Sequence, residues 1–101
     1  MLQNIILKMT DFYPRPYPDN VENLGEYYRE KVLAPALNRY KRVHVDLDGY
    51  NRYGRSFLEE AFGGLVRKSG FAKEDLLQRL TYSHTLLPDL LVCINNRIQE
   101  A

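Results

Sequence analysis

His44, Asp46 and Asp48 recur at every second position in RVHVDLDG, Arg42–Gly49. Alternate residues of a strand share a face, so an imidazole and two carboxylates project together. A divalent cation accepts such ligands, and His84 supplies a second imidazole further along the chain. No pair among them falls at a ligand-motif spacing, however, and carboxylates at a strand's end make turn hydrogen bonds, so turn chemistry is the expected use and no metal is assigned. Ser56 is the second candidate, a hydroxyl that His84 could activate as a base. Its context is Gly54-Arg55-Ser56-Phe57, which is not the G-x-S-x-G elbow of serine hydrolases. Cys93 is the only cysteine and lies among Leu91, Val92 and Ile94, which predicts a small buried hydrophobe. No catalytic constellation and no cofactor motif emerges, and a non-enzymatic role is expected.

The third candidate is a surface. The stretch RSFLEEAFGGLVRKSG, Arg55–Gly70, reads as a helix with Gly63 and Gly64 inside it. Ser56 and Glu59 have capping-box spacing, which predicts Ser56 as N-cap. Gly70 suits the left-handed position after the last turn, with Phe71 folding back onto Val66. Phe57, Leu58, Ala61, Phe62 and Leu65 form the apolar stripe. The spacing sets Gly63 between Glu59 and Arg67, and Gly64 between Glu60 and Lys68, beside that stripe. Each interior glycine costs roughly 1 kcal/mol relative to alanine, so something must approach closely. Either another part of the chain packs there, or Gly63, Gly64, Glu60 and Arg67 form a docking surface for another protein.

The elements that position these residues alternate along the chain. Leu2–Met9, Arg42–Gly49 and Leu80–His84 read as strands. Asp11–Asn20, with prolines at 14, 16 and 18, reads as a stiff extended connection. Asn23 and Glu26 predict the capped start of a helix with Leu24, Tyr28 and Val32 inward and Glu26, Arg29 and Glu30 outward. Pro35 is expected to end or kink it at Ala34. Ala72–Leu80 reads as a short helix. The last helix carries Leu87, Leu90, Leu91, Ile94 and Ile98 on one face, with Pro88 in its first turn. This order predicts an α/β fold with a small mixed or parallel sheet of three to four strands. So narrow a sheet leaves an edge or a face for a partner, or for a second copy, to cover.

With 101 residues, a single domain over residues 1–101 is expected. The net charge of +1 is spread without a basic stripe, which argues against nucleic-acid binding. The apolar run Ile5–Leu7 is too short for a signal core or a membrane span, and a lone cysteine suits a reducing compartment, so a cytoplasmic protein is expected.

Taken together, VDLDGYNRYGRSFLEEAFGGLVR resembles the STAS-like family of small bacterial proteins of otherwise unknown function. YPRPY, the Gly25-Glu26 pair before YYRE, and VLAPAL are similar to that family too. The resemblance implies a STAS-like α/β module with a regulatory role. In the anti-sigma-factor-antagonist branch of STAS domains, a GHKL-type kinase phosphorylates a serine at a helix N-terminus, and phosphorylation switches partners. Ser56 is the hydroxyl in the comparable place, with Arg52 and Arg55 nearby, and a GHKL-type ATPase or kinase is the implied partner. An alternative is a small ligand- or nucleotide-binding site outside the C-terminal ends of the strands, at Asp48, Tyr50, Arg52 and Ser56. Tyr13, Tyr17, Tyr50 and Tyr53 are expected to line the same loop side.

Overall fold

The computed structural model describes residues 2–12 and 24–101. Most of the proline-rich connection, Tyr13 and Tyr17 in it, and the expected N-cap Asn23 lie outside the described residues. Three strands, β1 (Leu2–Lys8), β2 (Tyr40–Asp46) and β3 (Leu80–Ser83), form one sheet in the order β1-β2-β3. Both pairs are parallel, with Ile6 opposite His44 and Asp46 opposite Ser83. The sheet is therefore parallel rather than mixed.

A four-residue helix α1 (Met9–Phe12) follows β1 directly. Helix α2 runs without a break through Leu24–Tyr28, a π turn at Arg29–Leu33 and Ala34–Arg39. Pro35 thus does not end this helix and stands at the start of its last regular segment, just past the π turn. The Ala34 N–H reaches back five residues to the Arg29 carbonyl. This widened turn lets the helix pass a residue that has no N–H to give. Helix α3 has the same build: Arg55–Leu58, a π turn at Glu59–Gly63, then Gly64–Arg67. Helices α4 (Lys73–Arg79) and α5 (Pro88–Gln99) complete the chain.

Both crossovers step the same way across the sheet, so right-handed connections set the helices on one face. Burial agrees with this. Val43 and Val45 are fully buried beneath the helices, whereas His44 and Asp46 on the opposite face are only half-buried. The core joins these valines to Leu33 and Leu37 of α2, Phe62 and Leu65 of α3, and Ile94 and Ile98 of α5. Arg79 ties the layers at one end. Its guanidinium donates to the carbonyls of Leu37 and Tyr40 where α2 finishes, and Nη1 pairs with Asp75 Oδ2 at 2.7 Å. A cation at a helix C-terminus completes carbonyls that the helix itself leaves over.

Two sequence expectations fail on burial. Cys93 is exposed, because Ile94 and Ile98, not Cys93, take the inward face of α5. Arg29, expected to face out, is 1% exposed. Among the described residues no helix is long and apolar enough to cross a membrane.

Candidate functional site

The C-terminal ends of β2 and β3 run into two loops, and Asp48 links them. Asp46 Oδ1 first accepts the Asp48 N–H at 3.0 Å, which fixes the turn after β2. Gly49 follows at φ +103°, a left-handed conformation that residues with a Cβ rarely adopt. The Asp48 carboxylate then accepts the Thr85 N–H at 2.7 Å and its hydroxyl at 2.8 Å. Those two hydrogen bonds, backbone first, hold the Asp48 carboxyl below the usual aspartate range.

His84 is buried behind this link. Its Nδ1 accepts the N–H groups of Leu86 and Leu87, each at 3.1 Å, and therefore carries no proton. The other nitrogen, Nε2, then donates to the Tyr50 carbonyl at 2.7 Å. Both nitrogens thus hold loops together, and neither is left to act as a base for Ser56. His44 lies on the open face of the sheet, with Nδ1 at 2.6 Å from Thr81 Oγ1 and Nε2 at 2.8 Å from Ser83 Oγ. Among the described residues no three His, Cys, Asp or Glu side chains gather closely enough to hold a metal ion.

Tyr53 continues the path toward α3 by donating its hydroxyl to the Leu47 carbonyl at 2.6 Å. Tyr50, Arg52, Tyr53, Gly54 and Phe57 line a shallow pocket of about 150 Å³. Small-molecule sites usually span roughly 300–1,000 Å³. The residues of the ligand-site alternative are therefore near one another but separately occupied. Asp48 is engaged by Thr85, Tyr50 and Arg52 border a small pocket, and Ser56 lies on the helix beyond it.

The start of α3 differs from the expected capping box. Gly54, in an extended conformation, is the N-cap, and its carbonyl accepts the Leu58 N–H at 3.1 Å. Ser56 is instead the second helical residue, exposed, and caps nothing. Glu59 does not reach back to it. The Glu59 carboxylate pairs with Arg67 Nη1 at 2.7 Å and with Arg97 Nε at 3.3 Å. The far end fits the expectation more closely. Gly70 takes φ +82°, and the Phe71 N–H closes on the Leu65 carbonyl at 2.9 Å, one residue deeper than a Schellman ending.

Gly63 and Gly64 are both buried, so of the two readings of this strip the structure shows packing by the chain itself. The occupant over Gly64 is Arg29 of α2. A Cβ on Gly64 would sit 2.8 Å from the Arg29 Cζ and 3.2 Å from its Cδ. Gly25 makes the reciprocal approach, since a Cβ there would lie 2.6 Å from the Phe57 carbonyl oxygen of α3. The two helices therefore meet backbone to backbone at Gly25, and backbone to guanidinium at Gly64. The π turn of α3 supplies the acceptor. The Gly64 N–H bonds the Glu59 carbonyl five residues back, and the next carbonyl in line, that of Glu60, accepts from Arg29 Nη1. The Glu60 carboxylate lies 3.6 Å from the same nitrogen and 3.1 Å from Lys68 Nζ. The Lys68 hydrogen bond and the charges of Lys68 and Arg29 hold this carboxyl below the usual glutamate range, against the effect of burial.

Gly63 differs, because a Cβ there would meet only the tip of the Arg67 side chain, 2.8 Å from Nη1, with the Glu59 carboxylate beside it. Of the four residues expected to form a docking surface, then, Gly63 and Gly64 are enclosed by this chain's own side chains, and Glu60 and Arg67 belong to the ion pairs that enclose them. Sequence reading missed Arg29. Its one signal is the coincidence of a pair of helix glycines with a long cation beside the apolar stripe of the preceding helix.

With this geometry in view, the family is plain. Residues 25–89 match the model of the family described as a STAS-like domain of unknown function, and the chain belongs to that family. The matched span begins at Gly25 and includes Arg29, both glycines of α3 and Ser56. Neither the curated proteins nor the solved structures give a match to the chain.

Proposed function

We propose that this domain is a non-enzymatic regulatory module that works by protein contact, with the first turn of α3 as its working surface. Ser56 is its phosphorylation site, and a GHKL-type ATPase or kinase is its partner. The single observation that carries the proposal is the exposed Ser56 hydroxyl at the second position of a long helix, freed from capping because Gly54 takes that role. A phosphate there sits over the positive end of the helix, with exposed Arg52 and Arg55 close in sequence. Membership of a STAS-like family supports the choice of kinase, since antagonist STAS domains are switched at a serine in the comparable place. Tyr50 and Tyr53, half-buried around the adjoining pocket, give a partner aromatic surface next to the charge change.

The test is intact-mass and peptide mass spectrometry after incubation with a GHKL-type kinase and ATP. One phosphate mapping to Ser56, absent from the Ser56→Ala variant, is the expected result. Phosphate only elsewhere, or none, would contradict the assignment.

A further inference from the structure

The two edges of the sheet are built differently. β3, at one edge, is four residues long and carries Thr81 and Ser83 on the open face of the sheet, where both hydroxyls pair with His44. Short, polar edges are how natural sheets avoid unwanted pairing. β1, at the other edge, is seven residues long and pairs, among the described residues, with β2 alone. From Leu2 to Leu7 it has no charge, no proline and no bulge.

It is also apolar on both of its faces. Leu2 and Ile6 point to the open face and are 51% and 63% exposed. Ile5 and Leu7 point to the helical face, where with Phe12, Tyr28 and Val32 they line a groove of about 270 Å³. Side chains of this kind on both faces are the mark of a strand inside a parallel sheet, paired on both sides. β1 has the sequence of an interior strand in an edge position.

We propose that the edge of β1 left unpaired among the described residues pairs antiparallel with β1 of a second copy of this chain. The strand is self-complementary about Ile6. In that register Ile6 faces Ile6 of the second copy, Ile5 faces its Leu7, and Asn4 faces its Lys8. The most exposed apolar residue of β1 is thereby covered on one face, and the Ile5–Leu7 pairs lie over the groove on the other. Lys8, the only charged residue of β1, meets no like charge. The operator is a two-fold axis perpendicular to the sheet, so the contact closes on itself and yields a dimer with a continuous six-stranded sheet rather than a fibre. This surface is separate from the first turn of α3, and the two proposals stand or fall independently.

Sedimentation equilibrium tests it on three proteins: wild type, Ile6→Lys, and Val92→Lys as a control at an exposed apolar residue of α5. A wild-type dimer is expected, with its dissociation constant raised at least about tenfold by Ile6→Lys and left unchanged by Val92→Lys. A wild type that stays monomeric up to about 1 mM, or a dimer that ignores Ile6→Lys, overturns the proposal. Should Ile6→Lys lose its circular dichroism, amide exchange on the wild type decides. Exchange in Asn4–Lys8 must slow as concentration rises, and exchange independent of concentration counts against the pairing.

Discussion

Helix α3 is two regions in one element. Its middle is a pair of buried glycines, Gly64 pressed under the Arg29 guanidinium of α2 and Gly63 under the tip of Arg67, while its first turn carries an exposed serine that makes no cap. Small residues on a helix invite the reading of a landing surface, and a serine before an apolar run invites the reading of a cap. Here the roles are exchanged. The glycines are internal packing, Gly64 made necessary by a buried cation that needs a backbone carbonyl, and the serine caps nothing. The π turn puts the Glu60 carbonyl where the buried Arg29 Nη1 can donate to it, while Nε has no partner among the described residues.

Arg29→Ala should break this comparison most severely. It removes the cation from its niche and leaves the Glu60 carbonyl and a cavity behind, so a loss of about 3–4 kcal/mol in urea unfolding is expected. Gly25→Ala comes next at about 2–3 kcal/mol, because its Cβ would meet the Phe57 backbone, which cannot swing aside. The neighbouring glycines should then part company. Gly64→Ala is expected to destabilise by about 1–2 kcal/mol despite alanine's better helix propensity, since Arg29 is held fast. Gly63→Ala should be neutral or stabilising by up to about 1 kcal/mol, because Arg67 is half in solvent and can shift. Equal effects at the two positions would erase the distinction.

The loop ends of the strands give a prediction in pH. Folding lowers the Asp48 pKa, so its contribution is present above the unfolded aspartate value and is lost as pH falls through the folded one. Melting temperatures followed down through the acid range should therefore fall more steeply for wild type than for Asp48→Asn. Parallel curves would mean that the Asp48–Thr85 link carries no stability. The smallest effect belongs to Ser56. Replacement by alanine should change stability by less than about 0.5 kcal/mol, since no cap is lost. Ser56→Asp should gain up to about 1 kcal/mol from the helix end.

The strands and helices were legible because their signals are local. Val43, Val45 and Leu47 alternate in the sequence, and all three are buried. Ile94 and Ile98 fall at helical spacing and are buried likewise. Pro88 and Gly70 mark the ends they were expected to mark. What escaped depends on contacts between distant segments. A π turn leaves no mark in a 3.6-residue pattern, and its effect on α3 was to redirect Glu59 from Ser56 toward Arg67 and Arg97. Arg29 looked like a surface residue because its burial is decided by a glycine 35 positions away, Gly64. The loop cluster around Asp48 was half visible. Its turn role was expected from residue type, but Thr85 as its partner and His84 as a neutral clamp depend on parallel strand order.

The division of α3 into a sealed middle and a working first turn is tested most directly by titration calorimetry of a GHKL-type partner into wild type and Ser56→Asp. The account predicts a change in affinity of at least about tenfold between them, with melting temperatures within a few degrees. Equal affinities for the two proteins would contradict it.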